Sequence, residues 1–120
     1  MQNILNIVYV ALGGAFGAIL RYLVKFICGN TAFPFATLTV NLLGCLLIGF
    51  LGGVNREINR PFLIAGLLGA FTTFSSFGLE TAELFMKGSY LMGTVNILVN
   101  NILGLALVYV GFRFGAWLFK

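Results

Sequence analysis

The chain contains no histidine and no aspartate, and its only acidic residues are Glu57, Glu80 and Glu83. A hydrolytic triad, a zinc site and a paired-carboxylate mechanism all lack their residues, so an enzyme is not expected. Charge of either sign is scarce: 8% of the 120 residues are charged and 60% are hydrophobic. Soluble domains carry about 25% charged residues, so the composition reads as an all-α integral membrane protein. The net charge of +4 comes without any basic block, which argues against nucleic acid as a partner. Cys28 and Cys45 do not form a metal-binding spacing and read as structural thiols. The N-terminus has no basic region and no small-residue cleavage site, so its apolar run is expected to be a retained span. Residues 1–120 read as one transmembrane domain with no hydrophilic extension.

What the chain does have is long apolar runs. Crossing the hydrocarbon takes about 20 apolar residues. Four segments qualify: Ile4–Ile27, Phe35–Val54, Phe62–Met86 and Tyr90–Phe119. Turn chemistry separates them. Gly29-Asn30-Thr31 leads to Pro34, Pro61 suits a first helical turn, and Lys87-Gly88-Ser89 closes the third span. Gly13 and Gly17, Gly49 and Gly53, and Gly111 and Gly115 are spaced four apart, which lets helix backbones approach closely.

Residues 69–80 are the most polar stretch inside a span. Phe71 to Phe77 gather four hydroxyls and three phenylalanines in seven residues. At membrane depth, irregular backbone survives only when buried in protein or lining an aqueous path. The segment therefore reads as a break in the third helix, a usual place for handling ions. A tight helix–helix contact built from small and hydroxyl residues fits the same composition.

Polar residues also recur at helical spacing. Asn41, Cys45, Gly49 and Gly53 descend one face of the second span. Asn96, Asn100 and Gly104 do the same in the fourth, with Asn101 beside them. An Asn amide offers two donors that an anion can accept; the alternative is a hydrogen bond between helices. Phe74 and Phe77 lie three apart and flank Ser75 and Ser76. Aromatic edges carry the positive end of the ring quadrupole, so a partly dehydrated anion can rest against them. Conduction needs several weak sites, which favours rings, hydroxyls and amides over a fixed lysine.

With both termini on one side, Arg56, Arg60, Arg113 and Lys120 face Arg21, Lys25 and Lys87 across the membrane, four against three. Orientation follows an excess of Lys and Arg. A chain with almost no excess can insert both ways and pair as an antiparallel homodimer. Arg21 lies just inside the end of its span. It either snorkels to the interface or furnishes a positive vestibule that concentrates anions. Glu80 and Glu83 are expected to cap or to pair with basic residues near the membrane surface. Gly13-Gly14-Ala15-Phe16-Gly17 is not a nucleotide loop, because no strand precedes it and no acid follows about 20 residues on.

Three runs together resemble the Fluc (CrcB) family of fluoride channels: Gly13 to Arg21-Tyr22, Thr37-Leu38-Thr39-Val40-Asn41-Leu42-Leu43-Gly44, and above all Gly69-Ala70-Phe71-Thr72-Thr73-Phe74-Ser75-Ser76-Phe77 with Glu80. The resemblance covers nearly the whole chain. It implies a dual-topology homodimer in the bacterial inner membrane, with two pores that passively export fluoride. It also implies a structural sodium ion at the dimer centre. By matching positions, Phe74 and Phe77 are the fluoride-coordinating rings, Asn41 and Asn100 are pore amides, and Thr73 and Ser76 are pore hydroxyls. Gly69 and Thr72 offer backbone carbonyls to sodium. Family members often carry hydroxyl residues in the fourth span where Asn96, Asn100 and Gly104 stand here. A small multidrug-type cation/proton antiporter is the main competing reading. It needs a mid-membrane carboxylate, most naturally in the first span, and that span has none. A non-transporting assembly protein would show no ion flux.

Overall fold

The computed structural model describes residues 1–54 and 57–120. Asn55 and Arg56 lie outside the described residues, and with them the expected side of Arg56. Helix α1 (Gln2–Cys28) ends where Gly29 adopts a φ of 64°, its N–H closing on the Lys25 carbonyl. Only glycine enters that region without a steric penalty. Helix α2 (Phe35–Gly53) starts directly after Pro34 and ends at an extended Val54. Pro61 opens α3 (residues 61–71), whose stretch Pro61–Leu68 is wound wide, as a π-helix. The Asn59 side chain accepts the Phe62 N–H at 3.1 Å and ties down that first turn. Thr72 and Thr73 are extended, and α4 (Phe74–Met86) follows. Helix α5 (Tyr90–Leu118) completes the chain and includes a second wide stretch, Val99–Leu103.

The second wide stretch has a cause in the sequence. Asn100 and Asn101 each turn their side-chain Nδ2 back to the carbonyl four residues earlier, at 3.0 and 2.8 Å. Side chains that compete for the i−4 carbonyl loosen a helical turn.

Among the described residues, four helical segments are long and apolar enough to cross a membrane: Gln2–Cys28, Phe35–Gly53, Pro61–Met86 and Tyr90–Leu118. Large apolar side chains point outward along them, among them Phe26, Leu91 and Trp117. Water would not tolerate such a surface, whereas lipid does. The chain is a multi-pass membrane protein.

Glycine sets the packing. Cβ atoms added at Gly49 and Gly53 would strike the carbonyls of Val108 and Phe112 on α5. Reciprocally, Gly111 and Gly115 of α5 lie against the carbonyls of Leu46 and Phe50 on α2. Gly13 and Gly17 of α1 press in the same way on Phe62 and Leu67 of α3. So α2 pairs with α5, and α1 with α3. Backbone contact replaces a conventional apolar core, as in small-residue membrane interfaces. The two pairs leave Thr72 and Thr73 beside α2, at the level of Asn41.

Candidate functional site

The site is built around the two extended residues. A continuous helix would aim the Thr73 N–H at the Gly69 carbonyl. Here that N–H donates to Asn41 Oδ1 at 2.8 Å, while Asn41 Nδ2 donates back to the Thr73 carbonyl at 3.2 Å. One α2 side chain thus satisfies both backbone groups of an extended residue at membrane depth, where an unsatisfied group costs several kcal/mol. Helix α4 restarts with Thr73 as its N-cap, its Oγ1 accepting the Ser76 N–H at 3.2 Å. The Thr73 hydroxyl reaches Ser76 Oγ at 3.1 Å, and Ser75 Oγ lies 3.3 Å away. The Thr72 hydroxyl instead returns to the Leu68 carbonyl at 3.0 Å.

Gly44 makes room for this arrangement. A Cβ there would collide with the Thr72 methyl group. On the far side, Asn41 Nδ2 also donates to Asn100 Oδ1 at 3.1 Å, joining α2 to the wide turn of α5.

A cavity of about 340 Å³ opens at this junction. Asn41, Thr73, Phe74, Phe77 and Asn100 line it, and Gly69 and Thr72 sit on its wall. The rings of Phe74 and Phe77 lie 5.3 Å apart, tilted by 56°. Phe77 is buried, whereas Phe74 is 78% exposed on the single chain. A second cavity of about 270 Å³ holds Arg21, Lys25, Thr37 and Ser76. Thr73 lines both cavities. The structure therefore collects every expected site residue into two adjoining spaces, one amide- and ring-lined and one basic.

The donor pattern also bears on a cation. Thr73 N–H, the helical partner of the Gly69 carbonyl, is taken by Asn41. Ser76 N–H, the corresponding partner of the Thr72 carbonyl, is taken by Thr73 Oγ1. The Gly69 and Thr72 carbonyls are among those at the break whose helical donors are turned elsewhere. Neutral oxygens of this kind suit a monovalent ion better than calcium, which gathers six to eight oxygens including acids. Among the described residues, no cluster of three or more His, Cys, Asp or Glu could hold a metal.

Two features were not anticipated. Glu80 turns inward, not to a basic residue, and accepts the Thr37 hydroxyl at 2.8 Å. Its Oε2 is buried without a hydrogen-bond partner among the described residues. The signal was its spacing, one turn beyond Phe77 on the same face. The other is the partner of Asn96, a residue its spacing had placed on the polar stripe: only 1% exposed, it bonds Thr81 of α4 as well as Asn100.

Comparison with known proteins covers nearly the whole chain. The family model described as "CrcB-like protein, Camphor Resistance (CrcB)" matches residues 8–112. A "Fluoride-specific ion channel FluC" from Dehalococcoides mccartyi is 43% identical, with 94% of each chain covered. The protein of the same name from Parabacteroides distasonis is 42% identical over 92% of this chain and 93% of its own. One from Legionella pneumophila is 46% identical over 85% of this chain and 83% of its own.

Proposed function

The chain belongs to the CrcB family, and from that premise we propose that it is a fluoride-selective channel that lets cytoplasmic fluoride leave the cell passively. It is a channel and not an enzyme. The observation that carries the reading is the junction at Thr73. The Asn41 and Asn100 amides and the ring pair Phe74–Phe77 meet there, beside a basic space containing Arg21. Arg21 concentrates anions at the mouth. The hydroxyls of Thr73 and Ser76 take over part of the hydration shell. Within the larger cavity, Phe74 and Phe77 supply ring edges, and the Asn41 and Asn100 amides, whose N–H groups all meet protein acceptors in the single chain, give the ion a donor by releasing one of those bonds. None of these groups carries charge, so each holds the ion weakly enough to release it.

Passive flow suffices for export. HF crosses membranes neutral and dissociates inside, and the membrane potential then drives the anion out at about 2.3 kcal/mol per 100 mV. Nothing observed favours the antiporter.

The working unit of this reading is an antiparallel homodimer in the bacterial inner membrane, with the third span broken at Thr72 and Thr73. One observation and one sequence expectation support it. The exposed Phe74 leaves one cavity wall unfinished in a single chain, and the four-to-three balance of basic residues expected from the sequence sets no orientation. A structural sodium ion would lie between the two copies. The Gly69 and Thr72 carbonyls of both copies would hold it, and its positive charge would make the nearby paths more hospitable to anions. Tags on either terminus should be reached from both faces of the membrane; a single accessible face would overturn the dual orientation. For the function, the chain is expressed in a bacterium stripped of its own fluoride exporter. Growth in fluoride is expected to be restored by the wild type, and no restoration despite membrane expression would refute the export role.

A further inference from the structure

Most hydrogens of the side chains around the larger cavity are already spent. Asn41 Nδ2 gives its two to the Thr73 carbonyl at 3.2 Å and to Asn100 Oδ1 at 3.1 Å. Asn100 Nδ2 gives both to Asn96, to the carbonyl at 3.0 Å and to Oδ1 at 2.9 Å. The Thr72 hydroxyl donates to the Leu68 carbonyl, and the Thr73 hydroxyl to Ser76 Oγ. Asn101 differs. Its Nδ2 donates once, to the Ile97 carbonyl at 2.8 Å. A carboxamide nitrogen carries two hydrogens, so one N–H of Asn101 meets no acceptor among the described residues. Yet Asn101 lines the cavity. Apart from the weak Cys45 thiol, it is the one lining side chain with a hydrogen left to give.

The wide stretch Val99–Leu103 favours this placement. Neighbours in a regular helix point about 100° apart. Wider winding turns less per residue, and here Asn100 and Asn101 line the same cavity. Asn101 is exposed on the single chain and lies near the middle of the span Tyr90–Leu118. An uncommitted amide facing hydrocarbon at that depth is costly, so a polar occupant is needed beside it.

We infer that Asn101 is a binding residue of the fluoride path: its free N–H hydrogen-bonds the ion in the larger cavity. This rests on the fluoride-channel reading. Asn41 and Asn100 each have to release a protein bond before they donate, whereas Asn101 donates with none broken. Its bond to Ile97 holds the amide in place while it does so. The competing occupant is a polar group of a second copy of the chain, and the test separates the two.

Fluoride efflux from liposomes is measured over a range of loading concentrations for wild type, Asn101→Ser and Asn101→Gln. The readout is the half-saturating fluoride concentration. Serine has one hydroxyl hydrogen, and a helical hydroxyl turns it back to the carbonyl four residues earlier, as Thr72 and Thr81 do here. Asn101→Ser thus keeps a bond to Ile97 and leaves nothing for the ion. Its half-saturating concentration should rise roughly tenfold, the scale of one hydrogen bond to a charged acceptor. Glutamine keeps both amide hydrogens on a longer stem and should stay within about threefold of wild type. If the free N–H instead bonds the second copy, Asn101→Ser alters elution or unfolding temperature and leaves the half-saturating concentration unmoved; that result overturns the inference. An equal rise in the serine and glutamine variants overturns it too. Should Asn101→Ser not fold, Asn101→Cys, a weak donor, is judged by the same rise. A wild type that moves no fluoride overturns the channel reading, whereas a conducting wild type beside an unshifted serine variant overturns this inference alone.

Discussion

Replacing Asn41 separates its hold on the Thr73 backbone from the donor role proposed for it. Asn41→Leu removes its bonds to the Thr73 N–H, the Thr73 carbonyl and Asn100. Two backbone groups are then stranded. Each costs about 1–3 kcal/mol, so about 2–6 kcal/mol is lost from a margin of about 5–15 kcal/mol. This variant should unfold at a clearly lower temperature and conduct poorly. Asn41→Asp keeps the oxygen that accepts the Thr73 N–H but replaces the donor nitrogen with a second oxygen. Ionised, it repels an anion about 4 Å away by about 4 kcal/mol at an effective dielectric constant of about 20. That corresponds to roughly a thousandfold loss of rate. Asn41→Ser retains a hydroxyl and should be milder than leucine in flux. The assays are thermal unfolding followed by size-exclusion chromatography, and fluoride efflux from liposomes read with a fluoride electrode. Wild-type stability and flux in Asn41→Leu would refute the two-point clamp. Equal flux in the serine and leucine variants would refute the need for a donor at this position.

Other outcomes follow from the same contacts. Phe74→Ile and Phe77→Ile keep most of the size and apolar character but lose the ring edge, so efflux should fall sharply while the protein elutes as before; normal flux in both would remove the aromatic role. Gly49→Leu or Gly111→Leu would drive a side chain into the Val108 or Leu46 carbonyl and force α2 from α5. Overpacking costs about 1–3 kcal/mol where a site can adjust, and backbone adjusts less than side chains, so folded yield should drop, as size-exclusion profiles will record. Exchanging sodium for lithium or potassium during purification should lower thermal stability or flux if the Gly69 and Thr72 carbonyls hold sodium, and unchanged values in both would argue against that site.

Much of the fold was legible because membrane spans are read from length and composition. The expected segments Ile4–Ile27, Phe35–Val54, Phe62–Met86 and Tyr90–Phe119 differ from the helical ones by a residue or two at most ends. Spacing told which residues share a face, as for Asn96 and Asn100, but not which neighbour that face meets. That α2 pairs with α5 and α1 with α3 is decided by which glycine rows match across space. Asn41 was legible as a polar residue in a span, yet its partner is the backbone of Thr73, and a backbone has no sequence signature. Glu80 was misread for a related reason: a carboxylate near a helix end favours the surface by default, and only the position of Thr37 across the interface turns it inward. The wide turn at Val99–Leu103 was hidden because adjacent asparagines can bond sideways as easily as back along the helix.

The measurement that tests the central claim most directly is anion efflux from liposomes containing only the purified chain. A potassium ionophore clamps the voltage, and fluoride-loaded and chloride-loaded vesicles are compared under the same gradient. The account predicts rapid fluoride release that needs no proton gradient, with chloride release at the level of protein-free vesicles. Fluoride release no faster than in protein-free vesicles, or chloride release at the same rate as fluoride, would contradict it.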